Sequence, residues 1–139
     1  MELEAGSTSR FRTSNDSGSA HVLIVEDNEL VSGALRVLFE QTGRRVTVAA
    51  TVVDAVALAT ADQPDLMLVD LTLPDGDGFA ILEQLRKLNR APRVVVALTG
   101  HDDPAIVERC AATGCTEVLL KPVPTRELLR RASEWLGDG

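Results

Sequence analysis

Cysteine is scarce in this 139-residue chain: Cys110 and Cys115 are the only two. Two thiols are too few for a disulfide scaffold and lack the partners of a zinc site, so they read as small apolar groups. No apolar run approaches the ~20 residues that span a bilayer, and no signal-peptide core is visible. The expectation is a cytoplasmic protein with no membrane segment. Positive charge is also short. The net charge is −7 and the pI about 4.8, which argues against direct nucleic-acid binding. Lysine occurs only as Lys87 and Lys121, against twelve arginines. There is no internal repeat. What remains is ordinary for a single globular domain: 45% hydrophobic and 25% charged, with a core that hides roughly two-thirds of the unfolded surface.

Residues 1–20 are rich in Ser, Thr, Gly, Asn and charge, with Leu3 and Phe11 as their large apolar groups. Such a segment buries too little to offset its ordering entropy, and a flexible tail is expected. From His21 the pattern changes. Apolar, β-branched runs at 21–25, 45–49, 66–69, 93–98 and 117–120 read as strands, and the run at 66–69 reads as one buried on both faces. Between and after them lie five helical patterns. The first carries Leu30, Val31, Leu35, Leu38 and Phe39 at spacings of one helical stripe, and Gly43 ends it. Thr51 caps the second, which turns Val52, Val56 and Ala59 inward before Pro64. Phe79, Leu82, Leu85 and Leu88 mark the third. Asp102-Asp103-Pro104 starts the fourth, with Ile106, Val107, Cys110 and Ala111 on its apolar side. The last runs from Thr125 to Leu136, and its Trp135 is expected in the core rather than on a partner surface. Strands alternating with helices predict an α/β domain over 21–137, a doubly wound parallel sheet covered on both faces.

The polar residues that stand out all fall at strand C-termini: Glu26 and Asp27 after the first, Asp70 after the third, Thr99 after the fourth and Lys121 after the fifth. In an open parallel sheet those ends share one edge, where ligands bind. Two carboxylates ~4 Å apart repel by about 4 kcal/mol at an effective dielectric of 20. Three of them need a cation or a raised pKa. Mg²⁺ suits such a set, being hard, oxygen-loving and held through one or two carboxylates, waters and a phosphate. Asp70 has the chemistry of a nucleophile that accepts a phosphoryl group. The transferred group spreads its charge over three oxygens, one for Mg²⁺, one for Lys121 as a point charge and one for the Thr99 hydroxyl. Asp75 and Asp77, in a Pro-Asp-Gly-Asp-Gly turn, read as turn and cap residues.

From about residue 21 to 137 the chain resembles the receiver domain of two-component response regulators. The acidic pair in VLIVEDN, the Asp in LMLVDLTLPDGDG, the Thr in VVVALTG and the Lys in VLLKP carry the likeness, spaced by 43, 29 and 22 residues. The resemblance implies a flavodoxin-like (βα)5 sheet of order 2-1-3-4-5 and a phosphoryl donor that is a histidine kinase or histidine phosphotransfer protein. It implies that Asp27 and Asp70 bind Mg²⁺, Glu26 through water and Thr72 through its backbone carbonyl. Lys121-Pro122 would be a cis peptide. Thr72 and His101 stand where the family tunes phosphate lifetime. The face made by the fourth helix, fifth strand and fifth helix is the expected surface for a downstream partner or a dimer. Such a module phosphorylates and dephosphorylates only itself and is not a metabolic enzyme.

One position departs from the family. Where a Tyr or Phe usually partners the Thr99 position, this chain has Val118, and it contains no tyrosine. Valine cannot make the same large rotation, so the switch pair Thr99–Val118 leaves the loop after Thr99, or a plain relay role, to carry the signal. Two other readings differ in class. A haloacid-dehalogenase-type phosphohydrolase would use Asp70-Leu71-Thr72, but its nucleophile follows the first core strand and its common second acid is missing. A non-phosphorylated pseudo-receiver would serve only as a binding module, against which Asp27, Asp70, Thr99 and Lys121 stand intact. Nothing after Leu136 could hold an output domain, so a stand-alone regulator and a receiver from a larger chain are both compatible with the residues.

Overall fold

The structure, a computed structural model, describes residues 19–100 and 103–137. Five strands, β1 (His21–Val25), β2 (Arg45–Ala49), β3 (Leu66–Asp70), β4 (Val94–Thr99) and β5 (Glu117–Leu120), pair in parallel in the order β2-β1-β3-β4-β5. The helices are α1 (Glu29–Glu40), α2 (Val52–Ala61), α3 (Gly78–Lys87), α4 (Pro104–Thr113) and α5 (Thr125–Leu136). This is the flavodoxin-like order 2-1-3-4-5 expected from the resemblance. The segment expected as a tail lies outside the described residues except for Ser19 and Ala20. The Ala20 carbonyl accepts the Arg45 amide at 2.9 Å.

The two faces of the sheet sort by side-chain alternation. Leu23, Val25, Met67, Val69, Val95 and Ala97 face α2, α3 and α4, where Ala55, Ala59, Phe79, Leu82 and Leu85 meet them. Val22, Ile24, Leu66, Leu68, Val94 and Val96 face the other way, onto Phe39 of α1 and Leu128 and Ala132 of α5. Every residue of β1, β3 and β4 is buried. The continuous apolar runs follow from that, and each fully buried Val, Leu or Ile contributes about 1.5–3 kcal/mol. Such burial holds the strand ends, and so the site, in fixed register.

Three helical expectations are corrected by the packing. Asn28 caps α1, its Oδ1 accepting from the amides of Leu30 and Val31 at 3.0 and 3.2 Å. That start leaves Leu30 87% and Val31 41% exposed, so the inner stripe is Ser32, Leu35, Leu38 and Phe39. In α4, Val107 and Ala111 are exposed, and Cys110 and Thr113 are the buried pair. Leu88 lies past the end of α3 and is exposed. Trp135 is half-buried against the α1/α5 side. Its Nε1 donates to Glu117 Oε1 at 2.9 Å, and Arg131, ion-paired with Glu117, lies 5.6 Å above its ring.

His21 gives the fold a pH dependence. It is buried at the N-terminal end of β1, far from the strand ends that carry the site, with Nε2 on Thr47 Oγ1 and Nδ1 3.7 Å from Asp62. Burial lowers its pKa from 6.5, and Arg45 lowers it too, outweighing Asp62 and Asp65. The native imidazole therefore binds its proton more weakly than the unfolded one. Its stability contribution is complete above pH 6.5 and is lost as pH falls through the lowered native value. Urea midpoints of wild type and His21→Gln, compared from pH 7 downward, should converge in acid. Parallel profiles would contradict this.

Candidate functional site

The C-terminal edge of the sheet is built by the last residues of four strands. Glu26 follows β1, Asp70 ends β3, Thr99 ends β4 and Lys121 follows β5. Each is held by backbone bonds to a neighbouring strand end. The Glu26 amide donates to Ala49 O at 2.9 Å, Leu71 N to Leu98 O at 3.2 Å, and Lys121 N to Thr99 O at 2.7 Å. The last of these carries Lys121 across to β4, and the Lys121–Pro122 peptide is cis.

Glu26, Asp27 and Asp70 each offer a carboxylate oxygen, and the three oxygens lie within 4.8 Å of one another. Glu26 and Asp70 are buried; Asp27 is exposed. Lys121 Nζ lies 3.2 Å from Asp70 Oδ2 and 3.4 Å from Glu26 Oε1. Backbone amides complete the second oxygens: Asn28 N donates to Glu26 Oε2 at 3.1 Å and Thr72 N to Asp70 Oδ1 at 3.0 Å.

The electrostatics follow from one ammonium serving two buried acids. Burial raises the Glu26 pKa, and Asp70 raises it further, against the Asn28 amide and Lys121. Burial also opposes the charge on Lys121, but Asp70 and Glu26 outweigh it and hold the ammonium above its ordinary value. Three acidic side chains share one ammonium, and the cluster is exposed at Asp27. A small divalent cation with oxygen preference fits that donor set.

The chain brings Glu26, Asp27, Asp70 and Lys121 together, with Thr99 buried beside Lys121. Thr72 stands on the rim, exposed, two residues past Asp70. Val118 is half-buried in β5, paired with Ala97 and packed on the α2–α4 side of the core. His101 lies outside the described residues. Cys110 is buried, and burial pushes its thiol up to about 12, in keeping with a packing role.

The turn after Asp70 holds two features that the sequence reading missed. Thr72–Leu73 and Gly76–Asp77 pair as a short antiparallel ribbon. Asp77 caps α3 as expected, accepting from Ala80 N at 3.2 Å. Asp75 instead reaches across to α2, accepting from Val52 N at 2.8 Å and Val53 N at 3.3 Å. Those amides hold its carboxyl below the ordinary range. Its partners lie more than twenty residues away in sequence, beyond any local pattern. The second feature is Gly78, the first residue of α3, whose amide donates to Leu71 O at 3.2 Å.

Residues 22–133 match the family model described as the response regulator receiver domain. Among curated relatives, the chain is 35% identical over 111 residues to the KDP operon transcriptional regulatory protein KdpE of Escherichia coli, covering 80% of this chain and 48% of KdpE. It is 32% identical over 120 residues to the polar-differentiation response regulator DivK of Brucella ovis, covering 84% of this chain and 96% of DivK. Some curated relatives are about twice as long as the matched region; others are matched nearly end to end. Among solved structures, the receiver domain of a sensor histidine kinase from Pseudomonas aeruginosa superposes with a TM-score of 0.77 at 29% identity. That match covers 86% of this chain and 99% of the other, whose active-site cleft coordinates a magnesium ion.

Proposed function

The chain belongs to the response regulator receiver domain family, and from that premise we propose that it is a phosphoacceptor switch in a two-component relay. Asp70 takes the phosphoryl group from a histidine kinase or a histidine phosphotransfer protein. One observation carries the reading: three carboxylate oxygens within 4.8 Å of one another, with Lys121 Nζ 3.2 Å from Asp70.

Asp27 and Asp70 would hold Mg²⁺ directly, Glu26 through water and Thr72 through its carbonyl; the ion supplies charge neutralisation for the phosphoryl oxygens. The other parts are this chain's own. A bond forms between an Asp70 carboxylate oxygen and phosphorus while the phosphorus–nitrogen bond of the donor phosphohistidine breaks, and the imidazole leaves. Lys121, already paired with Asp70, neutralises a second phosphoryl oxygen, and the Thr99 hydroxyl donates to a third. Buried strand ends hold these groups before the donor arrives, so little reorganisation remains at the moment of transfer.

The module is a signalling domain that acts on itself and, in this reading, works in the cytoplasm. Among the described residues, no helix is long and apolar enough to cross a membrane. The α4-β5-α5 face is the surface for a downstream partner or a dimer. With Val118 opposite Ala97, the Thr99 response reaches that face without a swinging ring, through the loop after Thr99 or as relay alone. Substitution of Thr72, or of His101, should change the phosphate lifetime more than its uptake. Equal lifetimes in mutants and wild type would contradict this.

Incubation with acetyl phosphate and Mg²⁺ followed by intact mass measurement tests the reading. Wild type should gain one phosphoryl group, and Asp70→Asn none. No gain on wild type, or equal labelling of the variant, would overturn it.

A further inference from the structure

We propose that Gly78 is a positioning residue for Asp70, an inference that rests on the phosphoacceptor reading above. The N-terminus of α3 lies directly on the backbone of the phosphoacceptor strand. A Cβ built at Gly78 would stand 2.8 Å from the Asp70 carbonyl oxygen, 2.9 Å from Val69 Cγ2 and 3.3 Å from Leu71 Cα. Two of those three neighbours are backbone and cannot rotate away. By contrast, a Cβ at Gly33 or Gly100 would meet nothing within 4 Å.

The close approach matters because of what it holds. The Gly78 amide donates to Leu71 O at 3.2 Å, and the Thr72 amide donates to Asp70 Oδ1 at 3.0 Å. The Leu71 carbonyl and the Thr72 amide belong to one peptide group. Because that group is planar, fixing its oxygen fixes the direction of its N–H. Gly78 thus grips one end of a rigid plate whose other end aims a donor at the phosphoacceptor carboxylate. The two bonds leave Asp70 Oδ1 tied to backbone and Oδ2 facing Lys121, which divides the carboxylate between an anchored and a presented oxygen. Any side chain at position 78 pushes the 70–71 backbone away and releases the plate. The next peptide carries the Thr72 carbonyl assigned above to the metal, so the same displacement moves that group too.

The test compares wild type, Gly78→Ala and Gly33→Ala, all as the full chain. Two readouts are taken: the rate of phosphorylation by acetyl phosphate at saturating Mg²⁺, per folded molecule, and amide hydrogen exchange at Thr72. Gly78→Ala should slow phosphorylation by about 10- to 100-fold, the scale on which small misplacements act. It should also accelerate exchange at Thr72 while β1 amides stay protected. Gly33→Ala should match wild type in both. A general loss of stability would accelerate exchange throughout and leave the rate per folded molecule unchanged, which would overturn the proposal. If Gly78→Ala does not fold, Val69→Ala/Gly78→Ala removes the side-chain contact and keeps the backbone one. That variant should fold and remain slow relative to Val69→Ala. Equal rates, or failure of both variants to fold, would overturn the inference. An unphosphorylated wild type would instead sink the phosphoacceptor reading itself.

Discussion

Lys121→Ala is expected to slow phosphoryl uptake on Asp70 by about 10²–10³-fold, the usual cost of removing one preorganised charge-stabilising donor. At 3.2 Å from Asp70 Oδ2, the ammonium attracts that carboxylate by about 5 kcal/mol before solvation is subtracted, at an effective dielectric of 20. The net worth is far smaller because Lys121 is 35% exposed and pays desolvation. The rate effect is larger than the ground-state effect because negative charge spreads onto the peripheral phosphoryl oxygens as the group transfers. Lys121→Arg should recover only part of the rate, since a planar fork does not reproduce a compact point charge. Single-turnover labelling with acetyl phosphate at saturating Mg²⁺ measures both. A Lys121→Ala rate within a factor of about three of wild type, far inside the range expected for such a donor, would remove Lys121 from the chemistry.

The second large effect is on stability. Phe39 is fully buried beneath α1, packed with Val22, Ile24, Leu66 and Leu68. Its carbonyl also accepts from the amides of Thr42 and Arg44 in the turn that leads to β2. Phe39→Ala should cost about 3–5 kcal/mol through lost transfer energy and an unfilled cavity, a large part of the ~5–15 kcal/mol typical of a domain. Urea unfolding at constant m-value measures it. Leu30→Ala, at an 87% exposed position of the same helix, should fall within about 0.5 kcal/mol of wild type. A loss above about 2 kcal/mol at Leu30, or below about 1 kcal/mol at Phe39, would contradict the packing of α1 described here.

That contrast between Leu30 and Phe39 also shows where the sequence is legible. Strands β1, β3 and β4 are buried on both faces, so burial itself wrote the continuous apolar runs that reveal them. The site was readable because a parallel sheet delivers every strand end to one edge, and the four residue types there have few other reasons to coincide. Helix facing was harder. Leu30 and Val31 fit a 3.6-residue stripe, yet the Asn28 cap fixes a phase that turns them outward. Periodicity states that a stripe exists; the cap decides which residues share it. Asp75 and Gly78 escaped for a different reason. Each acts on backbone brought near only by the fold, Asp75 on α2 and Gly78 on Asp70. The Pro-Asp-Gly-Asp-Gly string shows a turn, not its distant contacts.

The position of the phosphoryl group is the measurement that bears most directly on the account. Borohydride reduces an acyl phosphate on aspartate to homoserine, so phosphorylated protein can be reduced, digested and read by peptide mass spectrometry. The account predicts homoserine at position 70, dependent on phosphodonor and Mg²⁺. Homoserine at Asp27, Asp75 or Asp77 instead, or none anywhere after verified reduction, would contradict it.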